Sequence, residues 1–567
     1  MSKQTVLLFP FILVTFLIFS ANTSFAKDPR LEILNAMQTE LDRSKSELRL
    51  DDYRTPYFIS YQLKMKQQQT LIVQYGSVYM ESDNENADLY VQVRVGDYSF
   101  DNFAGDEGFG SFRMPAGLPL SNSAPKDGNI KALRNSLWLL TDASYRDALN
   151  QFSQKRGDAV FEKPNEKLMS FSREEPQKYI GKKMSFDFDR KEWSRKLLDL
   201  SEIFAEYPEI SQSRVTMSAS KRERYYVNTE GASILDEQAI FIISIDAEAR
   251  AIDDMVLTNG RTFYAPQTSA FTDHKQMKAE VRTMIAELLA LSKAPLIDPY
   301  TGPAILSPRA AGVLFHEAVG HRLEGERQNS SHDGRTFKGR LGKMILPEFL
   351  SLYDDPTLDI MADEKLNGYY LYDDEGIKAQ KTELVKNGKL ISYLMSRTPI
   401  EDLAKSNGHG RSSGALKPMA RMGNLILEST KATSYKKLKK QLIKEVKRQK
   451  KPYGIIIHDM EGGSTNTSSY GYQAFKGIPR IAFRIFPDGR EEMVRGVEMV
   501  GTPLSSINKI IMTSKEIEVF NGYCGAESGW VPVSAIAPAI LLKELELQRK
   551  KEEKSRAPIL KSPFNGQ

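Results

Sequence analysis

Two histidines and a glutamate share one hexapeptide, His316-Glu317-Ala318-Val319-Gly320-His321, in a chain with only six histidines among 567 residues. Imidazoles flanking a carboxylate at this range point to zinc-peptidase chemistry, in which the histidines ligate the metal and the acid stays off it. Glu317 is then the group that takes a proton from the metal-bound water and passes it to the leaving amine. Zinc brings the pKa of that water to about 7, so hydroxide is available at neutral pH.

Both rings must reach one ion. Ser307 and Pro308 form an N-cap and first-turn pair, and SPRAAGVLFHEAVGHRL runs on with no breaker but glycine. The familiar zinc spacing puts the histidines four apart, whereas here they are five apart. At ~100° per residue on an α-helix, five positions separate the rings by about 140°. The spacing therefore predicts a π-type bulge or a helix break between His316 and His321, eased by Gly320.

Two histidines and a water leave tetrahedral zinc one ligand short. Three residues compete for the vacancy: Cys524 in NGYCGAESG, Glu324 three positions past His321, and His409 in NGHGR. Thiolate is the strongest zinc ligand of the three. Ligation would also account for a single cysteine in a chain that reads as exported, where cysteines normally pair. The anionic intermediate calls for one more donor, with Arg322, Arg411, Arg421 and His409 as candidates.

The surrounding elements read as α+β, with two main domains, largely antiparallel sheets and the zinc-motif helix in the C-terminal domain. Residues 28–48 have helical periodicity. Tyr57–Leu63, Gln69–Met80 and Ala87–Tyr98 read as strands of a meander, with SDNENAD as a turn. A Gly/Pro-rich loop is expected at 100–128, then helices at 129–153 and 276–291, with strands at 223–260 followed by a TNGRT loop. Pro295, Pro299 and Pro303 suggest a boundary near 295. The expected parts are 27–295, an N-terminal α+β domain, and 296–548, a C-terminal domain containing a helix at Tyr435–Arg448. A disordered charged tail is expected at 549–567.

Composition is ordinary for a globular chain: 41% hydrophobic, 27% charged, with 78 Lys+Arg against 73 Asp+Glu. That balance argues against a nucleic-acid partner. Residues 1–26 have one lysine, an apolar run from Val6 to Phe19 and Ser24-Phe25-Ala26, the pattern of a signal peptide cleaved after Ala26. The run is shorter than the ~20 residues that span a bilayer. The expectation is export to the periplasm or beyond, with no stable membrane insertion after cleavage.

Five further segments give the chain a likeness. LFHEAVGHRLEGE (314–326), YDDEGIKAQ (372–380), PMARMGN (418–424), DMEGGSTNTSSY (459–470) and NGYCGAESGWVPVSAIAPAILLKELEL (521–547) resemble, in order, blocks of the TldD/PmbA metallopeptidases, on the TldD side. The resemblance implies that His316, His321 and Cys524 hold Zn2+ and that Glu317 is the general base. Glu324 then lies behind the ligands or faces substrate. It also implies unfolded or extended peptides as substrates, and a homodimer, or a heterodimer with a TldE/PmbA-like paralogue, enclosing a chamber in which the N-terminal domain takes part. By analogy Gly462 and Gly463 could offer a backbone edge to a peptide, with Glu324 and Arg421 as further substrate-binding candidates. The best-known members are cytoplasmic, so the leader departs from the pattern. The competing readings are a zinc amidase or deformylase-like hydrolase and a non-catalytic scaffold; retention of all four residues speaks against the second.

Overall fold

The computed structural model describes residues 28–103, 122–161, 168–186, 188–330, 336–467, 475–501, 506–550, 558 and 560–564. The candidate leader at 1–26 lies outside the described residues, as do the centre of the 100–128 loop and most of the charged tail.

Helix α1 (Pro29–Glu47) starts where Asp28 accepts the Arg30 amide and Pro29 presets the first turn. It is followed by β1 (Pro56–Gln74) and β2 (Ser77–Val95), two long strands joined through Tyr75 and Gly76. Both turn residues have positive φ, 46° and 73°, which a two-residue hairpin turn requires. The expected three-stranded meander is thus one hairpin, and SDNENAD lies inside β2. Its polar side chains stay mostly exposed while the backbone pairs with β1, as in Asp83 opposite Gln69.

After α2 (Ile130–Phe161) come β3 (Lys178–Ile180), α3 (Arg190–Glu202), β4 (Ile210–Asn228), β5 (Ser233–Arg250), β6 (Val256–Ala265) and α4 (His274–Lys293). They build a six-stranded sheet in the order β2-β1-β4-β5-β3, with β6 also on β5. The TNGRT segment is strand, not loop. Gly260 sits opposite Asp246, where a Cβ would come 2.7 Å from the Asp246 carboxylate, so this glycine serves close approach rather than a turn. Helices α1 and α2 pack Met37, Leu41 and Leu137 onto the sheet. Helices α3 and α4 pack Leu197, Val281 and Leu288.

The remainder comprises β7 (Tyr300–Leu306), α5 (Pro308–Ala318), β8 (Leu350–Asp354), β9 (Thr382–Lys386), β10 (Asn424–Ser429) and α6 (Tyr435–Arg448), then β11 (Gly454–Thr465), β12 (Phe475–Ile485), β13 (Val497–Gly501), β14 (Ile510–Ala526) and β15 (Gly529–Arg549). These belong to a twelve-stranded, mostly antiparallel sheet. Strands β7, β11, β12, β13 and β15 pair in succession, and β15 returns to β7, closing a ring. Helix α5 lies so close to β15 that a Cβ at Gly312 would come 3.1 Å from the Ala535 carbonyl oxygen. The chain is α+β, with the His-Glu helix in its C-terminal half. Among the described residues no helix is long and apolar enough to cross a membrane.

Buried charges tie the N-terminal sheet to turns and loops of the C-terminal half. Asp374 lies 3.3 Å from Lys64 on β1 and 3.1 Å from Arg224 on β4, and accepts the Ser412 amide at 2.8 Å. Burial pushes the Asp374 carboxyl up, but Lys64 and Arg224 outweigh it and hold the group well below the usual range. Burial pulls the Lys64 ammonium down to about 8, despite Asp374. Beside them, burial and then Asp373 push Glu375 up to about 8, and burial pushes Asp373 up to about 6. Arg397 adds a two-pronged pair with Glu230 at 2.7 and 2.8 Å.

Candidate metal centre

Ser307 caps α5 by accepting the Ala310 amide at 3.3 Å, and Pro308 opens the first turn. The helix delivers His316 and Glu317 and ends at Ala318. Val319 adopts φ −118°, and Gly320–Leu323 form a short 3-10 turn that presents His321. The break expected from the five-residue spacing is therefore a helix end, not a π-bulge. Gly320 has a second reason to be glycine, because a Cβ there would run into the Met422 sulfur.

The third group comes from far along the chain. Cys524 lies near the end of β14, opposite Val531 in the β14–β15 hairpin. Its sulfur is 3.2 Å from His316 Nε2 and 3.3 Å from His321 Nε2, and the three ligand atoms lie within 4.8 Å of one another. Tetrahedral zinc at ordinary bond lengths holds a nitrogen and a sulfur ligand about 3.6 Å apart. Each imidazole nitrogen thus stands within a few tenths of an ångström of that spacing from the sulfur, and two imidazoles with a thiolate are a donor set that suits zinc. Burial pushes the Cys524 thiol up, yet the two imidazoles outweigh it and hold it well below the ordinary range. Burial opposes charge on both histidines, and the Cys524 sulfur outweighs it, raising both.

Glu317 and Glu324 take different positions. The Glu317 carboxylate is 4.0 Å from His321 Nε2 and keeps 12% of its side-chain exposure, whereas Glu324 keeps none. Glu324 Oε1 lies 3.0 Å from His321 Nδ1, which leaves Nε2 to face Cys524. Burial raises the Glu324 carboxyl, but His321 and Arg327 outweigh it and bring it down to about 2. His316 and Glu317 open into a cleft of about 1350 Å³, which Gly462, Gly463, Tyr264 and Tyr523 also line. Gly463 stands against the catalytic candidate, since a Cβ there would come 2.7 Å from Glu317 Cγ.

Other candidates are occupied elsewhere. Arg421 and Glu324 are fully buried behind the ligand atoms instead of on the cleft wall. Arg322 donates to the Glu317 and Ala318 carbonyls, and Arg411 to those of Met422 and Pro532. His409 sits between Asp354 and Asn407 with no exposure. Sequence reasoning missed Arg327 and Glu527; the Glu324–Arg327 spacing of three was the one available signal.

Residues 299–549 match the family model described as the PmbA/TldA metallopeptidase C-terminal domain. A metalloprotease of Methanocaldococcus jannaschii is 28% identical over 63% of this chain and 74% of its own length. A protein of Saccharolobus solfataricus described as a zinc metalloprotease TldD homolog is 24% identical over 66% and 80%. Several other metalloprotease relatives are matched over only about half of their length. Among solved structures, TldE from Thermococcus kodakarensis has a similar fold, with a TM-score of 0.58 at 15% identity over 90% of this chain and 100% of its own.

Proposed function

We propose, from the premise that the chain belongs to the TldD/PmbA family, that it is a zinc peptidase acting on unfolded or extended peptides, with Glu317 as general base. The observation that carries this reading is the convergence of His316, His321 and Cys524, with His316 and the neighbouring Glu317 lining a large cleft.

Bound there, zinc would polarise a scissile carbonyl and lower the pKa of a coordinated water to about 7. Glu317 takes the proton from the attacking water and delivers it to the departing amine. The backbone supports an extended substrate. Strand β11 pairs with β7 only through Ile455–Ile457, so among the described residues its edge from His458 to Thr465 has no partner on that side. Gly463 on that stretch abuts Glu317, so a peptide added as a strand would run past the base.

The division near residue 295, pairing with a second copy or a TldE-like paralogue, and export directed by residues 1–26 belong to the same proposal. The likeness to TldE supports the pairing through fold alone. Purified wild type and Glu317→Ala are to be compared for zinc content and for cleavage of an unfolded peptide pool. The expected result is one zinc per chain in both, with turnover lost by about 10²–10⁴-fold in the variant. Zinc loss in Glu317→Ala would make Glu317 a ligand; turnover of small amides alone would favour the deformylase-like reading.

A further inference from the structure

The candidate ligands come from distant parts of the chain, His316 and His321 from the end of α5 and the turn after it and Cys524 from β14, and their donor atoms meet within 4.8 Å of one another. One buried carboxylate lies between those segments. Glu324 Oε1 engages His321 Nδ1 at 3.0 Å, and Oε2 accepts from Arg327 Nε at 2.7 Å. Arg327 then reaches the turn between β14 and β15, where its Nη1 and Nη2 donate to the two Glu527 oxygens at 2.9 and 2.8 Å.

Arg421 approaches the same turn from another side. Its Nη2 donates to the Cys524 carbonyl oxygen at 2.7 Å, and its Nη1 to Ser528 Oγ at 2.9 Å and the Gly529 carbonyl at 3.0 Å. Its Nε lies 3.6 Å from Glu324 Oε1 and has no hydrogen-bond partner. Each arginine thus bridges the carboxylate that orients His321 and the turn that carries Cys524. Glu324 and Arg421 have no exposure and Arg327 has 4%, so the charges are held out of water and must compensate one another. The planar five-donor guanidinium suits two simultaneous bridges in a way a lysine ammonium does not.

We infer that Arg327 and Arg421, acting through Glu324, are positioning residues that set the separation of the Cys524 sulfur from the His321 imidazole. This rests on the proposed zinc reading and deepens it: the ligand set is held in place by buried charges that do not themselves touch the metal position. Glu527 closes the arrangement from the turn between β14 and β15, with its side chain 30% exposed.

The test measures zinc affinity by chelator competition, together with the thiolate-to-metal absorption band of the cobalt(II)-loaded protein. It compares wild type, Arg421→Lys and Glu527→Gln. Glu527→Gln is nearly isosteric and partly exposed, so it removes half the Arg327 bridge without opening a buried void. Zinc dissociation constants about 10–100-fold higher in Arg421→Lys, and raised in Glu527→Gln, are expected. The cobalt band should shift, while the far-UV spectrum and unfolding midpoint of the zinc-free Glu527→Gln protein stay at the wild-type values. Zinc bound by wild type and held within twofold of that affinity by Glu527→Gln, with an unchanged cobalt band, would overturn the inference alone. A wild-type protein that binds no zinc would overturn the proposed function and this inference together.

Discussion

Among the described residues, two of the buried charge clusters are of opposite design. Around Asp374, the anion and its cations Lys64 and Arg224 come from facing surfaces, and the backbone of Ser412 fills the second oxygen. Around Glu324, the carboxylate is also saturated, but the His321 ring it engages turns its Nε2 toward the Cys524 sulfur, which also meets His316 Nε2, and His316 lines a cleft. The first cluster uses its polar capacity on itself and ties the N-terminal sheet to the C-terminal half. The second directs its capacity toward a ligand. Burial alone does not distinguish a structural cluster from a functional one; the difference is whether ligand atoms are left converging on accessible space.

Breaking either cluster should have a separate signature. The largest expected effect is Cys524→Ser, which removes a direct donor: zinc affinity should fall by more than the ~100-fold typical of groups one step removed, read by chelator competition. Asp374→Ala leaves Lys64 buried without its anion and Arg224 with Asp236 alone, and should cost about 3–5 kcal/mol in denaturant unfolding, with zinc stoichiometry unchanged in the folded fraction. Loss of zinc before unfolding would erase the distinction between the clusters.

A smaller effect separates two neighbouring glycines. Gly463→Ala places a methyl against Glu317 and Val313 and should lower kcat up to ~10²-fold through displacement of the base. Gly462→Ala meets nothing within 4 Å and should leave steady-state cleavage unchanged. Equal losses in both would argue that backbone stiffness at β11, not the Glu317 contact, is what matters.

The smallest effect is a pH slope. Glu375 is raised to about 8, so the fold favours its protonated form. That stabilisation is present at low pH and is lost as pH climbs from the ordinary carboxylate value through about 8. Asp374, held low, acts in reverse, losing its contribution only in acid. Unfolding midpoints measured between pH 5 and 9 should fall with rising pH in wild type and less steeply in Glu375→Gln; parallel slopes would assign the decline to other groups.

The site was legible because its chemistry is local and sparse. Paired histidines in one hexapeptide and a solitary cysteine stand out, and the five-residue spacing forces a departure from the helix that Val319 and Gly320 supply. The groups that hold the site were not legible. Arginines are ordinarily solvated, so nothing marked Arg421 as buried with its donors on backbone carbonyls. Strand limits were misread for a related reason. SDNENAD looks like a turn by composition, but an exposed strand tolerates polar side chains once its backbone is paired. Gly260 looked like a loop residue, though its role is close approach to Asp246. In each case a long-range neighbour decided the outcome.

The separation between the imidazoles and the sulfur also bears on biosynthesis. Cys524 follows His321 by 203 residues. At 5–20 residues per second on the ribosome, the histidines emerge on the order of 10–40 s before the thiol. During that interval the nascent chain has the motif but an incomplete set of the three candidate ligands, which meet only once the last hairpin is made and docked. Under the proposed peptidase reading, that order of synthesis would protect the unfinished polypeptide from cutting itself.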